Sequence, residues 1–173
     1  MREMGIYAVK SQEPACCFTG HRVVSMERIE ELRQRLKAGI LYLHDNMSIT
    51  TYYAGGALGF DSLAAEAVIE QKKNQPDIRL VIVIPCRNQT DRWSAADKAR
   101  YERINSNADE VICLAERYYR GCMHQRNRYI VDHSRACICY LTEQTGGTAY
   151  TVQYARERGL RIFNLAKPKG GTR

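Results

Sequence analysis

The sequence predicts an α/β domain whose mainly parallel sheet carries helices on both faces. Three observations lead there. Short apolar runs alternate with amphipathic stretches along nearly the whole chain, as in successive strand–helix units. Leu80-Val-Ile-Val-Ile84 is apolar at every position, the pattern of a strand covered on both faces. Glycine-bearing loops follow three of the expected strands, at the carboxyl ends where such a sheet places its ligands.

The elements follow in chain order. Ala15-Cys-Cys-Phe18 reads as the first strand and Thr19-Gly-His-Arg22 as the turn after it. Ser25 stands where its hydroxyl can cap the next helix by accepting from a first-turn amide. Ile29, Leu32, Leu36, Ile40 and Leu43 recur at steps of three and four and form one apolar stripe of that helix. Ile49-Thr-Thr-Tyr-Tyr-Ala54 is β-rich and is broken by Gly55-Gly-Ala-Leu-Gly59, after which Asp61 opens an Ala-rich helix to about Lys73. The apolar strand over 80–84 stops at Pro85. Ser94-Ala-Ala-Asp97 has capping-box spacing and predicts a helix to about Asn107. Glu110-Val-Ile-Cys-Leu114 is the next strand, residues 121–133 a helix, and Ala136-Cys-Ile-Cys-Tyr-Leu141 a further apolar strand. Gly146-Gly-Thr148 leads into a last helix that Gly159 is suited to end in a left-handed cap, and Arg161-Ile-Phe-Asn-Leu165 closes the series.

Composition sets the outer bounds. A chain of 173 residues suits one domain, expected over 1–166 with a frayed tail over 167–173. Hydrophobic residues at 45% with 26% charged argue against disorder. No apolar run approaches the length needed to cross a bilayer, and the opening Met1-Arg-Glu-Met-Gly5 lacks the apolar core of a signal peptide. The expectation is therefore a cytoplasmic protein with no membrane partner. Seven cysteines, an odd number, match no zinc or disulfide spacing and read as buried free thiols. Cys137 and Cys139 would share one face of a strand, while adjacent Cys16 and Cys17 would point to opposite faces. The four histidines are scattered, so neither a metal nor another cofactor is expected. A formal net charge of +7 favours anionic partners, nucleotides or nucleic acid, without choosing between them.

The loops carry the chemistry. In Gly55-Gly-Ala-Leu-Gly-Phe-Asp61 glycine lets backbone amides approach an anion closely, and the helix that follows supplies free donors and a favourable dipole. The spacing is neither the dinucleotide fingerprint nor the Walker pattern, and a tight turn with close helix–sheet packing explains it equally well. Gly146-Gly-Thr148 repeats the arrangement, with the Thr148 hydroxyl as a further donor. In Thr19-Gly-His-Arg22 the arginine can pair bidentately with a phosphate, and His21 can donate to one or shuttle a proton. In Met123-His-Gln-Arg-Asn-Arg128 spacing alone makes Arg126 a surface arginine.

Taken together, Thr19-Gly-His-Arg22, Gly55-Gly-Ala-Leu-Gly-Phe-Asp61 with Ala64-Ala-Glu66, Arg126-Asn127 and Gly146-Gly-Thr148 stand in an order that resembles the SLOG superfamily. The closest likeness is to its YpsA-like branch, to which Trp93 and Tyr101 in the helix after Pro85 are also similar. The resemblance runs over about residues 15–165. It implies a Rossmann-like three-layer sandwich that binds a nucleotide or nucleotide-derived ligand across the glycine loops. The residues so implied are Thr19, Gly20, His21, Arg22, Gly55, Gly56, Gly59, Asp61, Arg126, Asn127, Gly146, Gly147 and Thr148. LOG-type members are phosphoribohydrolases that cleave the N-glycosidic bond of a nucleoside 5′-monophosphate, and Met123-His-Gln-Arg126 puts Arg126 in the position of their catalytic arginine. Their catalytic glutamate is replaced here by Thr151. Glycosidic cleavage builds positive charge on the sugar, which a carboxylate stabilises and threonine does not, leaving Glu143 or Asp61 as substitutes.

Three readings of function stay open. The first is a binding or sensing module for a nucleotide-like small molecule. The second is a diverged N-glycosidase with Arg126 as a catalytic residue. The third is DprA-like binding of single-stranded nucleic acid, to which the positive charge and the tyrosines are suited. Tyr7, Tyr42, Tyr52, Tyr53 and Tyr140, however, fall mostly in expected core elements. A homodimer is expected by analogy with related folds.

Overall fold

The computed structural model describes residues 14–166. Strands and helices alternate as β1 (Ala15–Gly20), α1 (Met26–Met47), β2 (Thr51–Ala54), α2 (Phe60–Lys72), β3 (Arg79–Ile84), α3 (Ala95–Asn107), β4 (Glu110–Cys113), α4 (Cys122–Asp132), β5 (Ala136–Tyr140), α5 (Gly147–Glu157) and β6 (Arg161–Asn164). The six strands form one sheet in the order β4-β3-β2-β1-β5-β6, and every neighbouring pair is parallel. The expected parallel sheet with helices on both faces is thus what the chain forms, a Rossmann-like three-layer sandwich.

Strand alternation sorts the core into two layers. Cys16, Phe18, Tyr52, Leu80, Ile82 and Ile138 point to the face covered by α1, α2 and Ile104 of α3. Cys17, Tyr53, Val81, Val83, Cys137 and Cys139 point to the other face, against Ile130 and Val131 of α4 and Val152 and Ala155 of α5. The predicted opposition of Cys16 and Cys17 and the shared face of Cys137 and Cys139 follow from that pleat. All seven thiols are free and six are buried. Burial pushes the Cys139 thiol up to about 12, so it stays protonated and packs as a small apolar group.

The α1 stripe buries Leu32, Leu36, Ile40 and Leu43 as its spacing requires. Below it Tyr52 is fully buried, and its hydroxyl donates to the Ile40 carbonyl at 2.8 Å, which satisfies the polar end of that ring. The Ser94 hydroxyl accepts from the Asp97 amide at 3.1 Å, as the capping-box spacing predicts. At the end of α5, Gly159 has φ +78°, and its amide donates to the Arg156 carbonyl at 3.0 Å, a left-handed cap.

Several expectations are corrected. β1 runs on through Thr19 and Gly20, so the turn begins at His21. Ser25 occupies the N-cap position of α1 but its hydroxyl makes no capping bond, and the Arg28 amide donates instead to the Ser25 backbone carbonyl at 2.9 Å. Tyr52, Tyr53 and Tyr140 are buried, but Tyr42 is 44% exposed because it lies off the apolar stripe of α1. Trp93 lies in the turn before α3 rather than in the helix, with its ring edge-on to Tyr101 at 5.5 Å. Tyr7 and the 167–173 tail lie outside the described residues. Among those residues no helix is long and apolar enough to cross a membrane.

The strand order has a consequence for the site. From β1 the chain steps through β2 and β3 to β4, then returns to the other side of β1 for β5 and β6. The direction of winding therefore switches between β1 and β5, and the crevice beyond their carboxyl ends is where such sheets bind ligands.

Candidate functional site

A cleft of about 360 Å³ opens at that switch point, within the size range of small-molecule sites. Four segments converge on it. The end of β1 supplies Thr19, Gly20, His21 and Arg22; the start of α2 supplies Ala57 and Asp61; α4 supplies Met123, His124, Arg126 and Asn127; the start of α5 supplies Gly147 and Thr148.

Glycine is required at two places behind this wall. Gly59 has φ +75°, and a side chain there would overlap the backbone carbonyl of Arg22, so this glycine lets the β1 loop cross the start of α2. A Cβ on Gly55 would overlap the Arg126 guanidinium and stand 2.7 Å from the Asp61 carboxylate. Those two charged groups fill the space that a side chain would take.

Asp61 is 6% exposed and Arg126 is 4% exposed. Burial pushes the Asp61 carboxyl above its ordinary value, opposed by the positive charge of Arg126 and by backbone N–H groups of Ala57 and Gly55. Burial also pushes Arg126 down, opposed by Asp61. The Ala57 amide donates to Asp61 Oδ2 at 3.4 Å. The anion-receiving side of this glycine loop thus already faces an anion of the protein itself. Gly56, at φ +66°, turns away from the cleft toward Ile84, and its carbonyl accepts from Gln89.

Arg126 is held from two sides. Its Nη1 donates to the Gly55 carbonyl and its Nε to Asn127 Oδ1 at 2.7 Å. Asn127 Nδ2 donates onward to Thr151 Oγ1 at 2.9 Å, and that hydroxyl donates to the Gly147 carbonyl at 2.9 Å. One chain of hydrogen bonds therefore joins the α2 loop, α4 and the α5 turn. The surface position expected for Arg126 from spacing is corrected: this arginine is a buried spoke of the site. Thr151, 1% exposed, is a link in that chain.

The α5 turn is the open side. Its helical ladder starts with the Tyr150 amide donating to the Gly146 carbonyl, so the amides of Gly147, Thr148 and Ala149 lie ahead of the ladder. Within 4 Å of a Cβ built on Gly146 or Gly147 there is nothing, which leaves room for another molecule to approach. On the opposite wall His21 Nε2 accepts from the Thr142 amide at 2.9 Å, so a neutral ring carries its proton on Nδ1. His21 thereby ties the β1 loop to the β5–α5 loop. Arg22 is exposed at the rim, with Nη2 3.9 Å from Met123 Sδ.

Nine of the thirteen expected residues line the cleft: Thr19, Gly20, His21, Arg22, Asp61, Arg126, Asn127, Gly147 and Thr148. Gly55 and Gly59 stand behind it, Gly56 faces elsewhere, and Gly146 caps α5. Sequence reasoning missed Ala57, Met123 and His124. The last two belong to the Met-His-x-Arg segment and were signalled by it, whereas a lone alanine carries no signal. Asp61 is the one carboxylate in the lining, while Glu143 borders a different concavity. Among the described residues no group of three or more His, Cys, Asp or Glu could hold a metal ion.

Comparison with known proteins places the chain among relatives. The family profile described as YspA SLOG matches residues 16–162. A prophage-derived protein of Bacillus subtilis, YoqJ, is 31% identical over 139 residues, covering 73% of this chain and 81% of that one. A UPF0398 protein of Bacillus cereus is 31% identical over 107 residues, and the match covers 60% of this chain and 58% of the relative. Two solved structures share the fold at a TM-score of 0.64. DNA processing protein A (DprA) of Streptococcus pneumoniae is 20% identical, with 91% of this chain aligned to 52% of that one. DprA of Helicobacter pylori, described for its single-stranded DNA binding mode, is 17% identical, with 91% aligned to 67%.

Proposed function

This chain belongs to the YspA SLOG family, and on that premise we propose that its switch-point cleft binds the phosphate of a nucleotide or nucleotide-derived ligand, the protein acting as a binding or sensing module. The observation that carries the reading is the buried Arg126, held by Gly55 and Asn127 in a cleft that Arg22, Thr148 and the first amides of α5 also face. A buried guanidinium costs several kcal/mol of lost hydration, which a phosphate would repay with charge-assisted hydrogen bonds. The free amides of α5 add donors and a favourable dipole. Binding is preferred over glycosidic cleavage because the Thr151 hydroxyl is engaged on both sides, and the cleft's one carboxylate, Asp61, is turned to the loop behind it.

Calorimetric titration of a 5′-mononucleotide series tests this reading. One charge-assisted hydrogen bond is worth roughly 1.5–3 kcal/mol, so Arg126→Ala is expected to weaken binding about 10- to 100-fold. Arg126→Lys does not restore it, since a point charge cannot make both planar contacts. Unchanged affinity in Arg126→Ala removes the arginine from the site.

A second reading, contact with single-stranded nucleic acid, is supported by one surface feature. Between β4 and α4 the segment Arg117-Tyr-Tyr-Arg120 is exposed, with Tyr118 60% and Tyr119 42% accessible. The loop is pinned rather than loose, since the Tyr118 amide donates to Asn88 Oδ1 at 2.9 Å and Arg87 pairs with Glu116. Exposed tyrosines between arginines on a backbone held in place suit base stacking beside phosphates. On this reading oligo-dT binding falls steeply with salt and is lost in the Tyr118→Ala, Tyr119→Ala double variant; an affinity that both salt and the variant leave unchanged rejects it.

A further inference from the structure

The phosphate cleft has a larger neighbour. On the far side of the Gly146–Gly147 turn lies a groove of about 720 Å³, lined along α5 by Gly146, Ala149, Tyr150, Gln153 and Arg156 and walled by residues 141–145. Gly146 faces the groove and Gly147 the cleft, so the two concavities meet at this turn. Their shared rim is aromatic: His124 lines the cleft, Tyr150 lines the groove, and their ring centroids are 4.5 Å apart at an interplanar angle of 68°.

Tyr150 is unusual for its setting. The opposite stripe of α5, with Thr151, Val152 and Ala155, is buried against the sheet, whereas Tyr150 is 41% exposed. It is nevertheless fixed from both ends, since its hydroxyl accepts from Arg128 Nη1 at 3.2 Å and its ring rests against His124. A held aromatic ring offers stacking area at little cost in conformational freedom. Next to it Ala149 leaves room, and Gln153, one turn on, donates one amide N–H to Glu157 Oε1 at 3.2 Å and keeps its carbonyl oxygen and second N–H for a ligand.

Resting on the phosphate reading above, we propose that this groove is the subsite for the ligand's aromatic base, with Tyr150 as the stacking platform and Gln153 as a hydrogen-bonding partner. A ligand bent around the glycine turn then places its phosphate against Arg126 and its base along α5. The substrate class is thereby a nucleotide rather than a plain sugar phosphate. A Cβ built on Gly146 or Gly147 meets nothing within 4 Å, so side chains from elsewhere in the fold do not crowd the turn between the two halves.

The test compares the four 5′-mononucleotides with ribose 5-phosphate by calorimetric titration of wild type, Tyr150→Ala, Tyr150→Phe and Arg126→Ala. Stacking on one aromatic side chain implies that Tyr150→Ala weakens the tightest mononucleotide about ten-fold or more and changes ribose 5-phosphate less than about two-fold. Tyr150→Phe, which keeps the ring, retains mononucleotide affinity, and Arg126→Ala weakens both ligands. Mononucleotide affinity that depends on Arg126 and not on Tyr150 overturns the base subsite and leaves the phosphate cleft standing. Failure of all five probes to bind wild type overturns both. Since Tyr150 faces solvent, its variants are expected to keep the wild-type far-UV circular dichroism, and a changed spectrum in Tyr150→Ala leaves Tyr150→Phe and Gln153→Ala to decide, the latter weakening only the mononucleotide.

Discussion

At the scale of single residues, Asp61 is expected to govern how the cleft meets an anion. Its carboxylate faces the amides of its own glycine loop and stands close to Arg126, so a bound phosphate must share that arginine with it. Burial raises the Asp61 carboxyl, and on the proposed function a phosphate nearby would raise it further, so binding is expected to favour the protonated carboxyl. The sign follows. As pH rises through the elevated Asp61 value, above the ordinary carboxyl value of 3.8, the proton is lost and phosphate affinity falls. Asp61→Asn removes that repulsion and is expected to bind mononucleotide about ten-fold tighter at neutral pH, if the repulsion is worth ~1.4 kcal/mol. Titrating both proteins over a pH series isolates the effect, because the ligand's own phosphate ionisation cancels in their ratio. A ratio that does not change with pH speaks against it. Arg126 was placed in the site by the family resemblance, but its burial was illegible in the sequence. Its immediate neighbours Gln125, Asn127 and Arg128 are polar although the helix has an apolar face, and only the tertiary approach of Gly55 reveals that the guanidinium is buried.

At the scale of elements, two helix starts that look alike in sequence differ in physics. Ser94 caps α3 with its hydroxyl, whereas Ser25 precedes α1 with its hydroxyl unused. Ser94→Ala is therefore expected to cost about 1 kcal/mol in urea unfolding, and Ser25→Ala only a few tenths; equal losses contradict the assignment. The strands were legible because β3 is apolar from Leu80 to Ile84 and β5 along its whole length, and α1 because its stripe is long and regular. Cap chemistry was less so, because a serine at the right position satisfies the pattern whether or not its rotamer completes the bond. Arg126, Asn127 and Thr151 add a further element-scale feature, a hydrogen-bond chain that ties α4 to the α5 turn. A threonine at 151 announces a missing carboxylate in sequence, but only the fold discloses what the hydroxyl does there.

At the scale of the whole molecule, strand order decides where function sits. Alternating strands and helices implied a parallel sheet, yet alternation alone does not say that the chain reverses between β1 and β5, and it is this reversal that gathers loops from four separate segments into one cleft. The positive net charge then acts over longer range, favouring anionic ligands without selecting one. On the proposed function an external phosphate is received at the α5 turn, while the Gly55 loop keeps its internal carboxylate. Amide chemical shifts followed by two-dimensional ¹H–¹⁵N NMR during titration with ribose 5-phosphate and 5′-mononucleotides test this most directly. Large, saturable shifts are expected at Gly147 and Thr148, with small ones at Gly55 and Ala57. Large shifts confined to residues 55–59, with Gly147 and Thr148 unmoved, would contradict it.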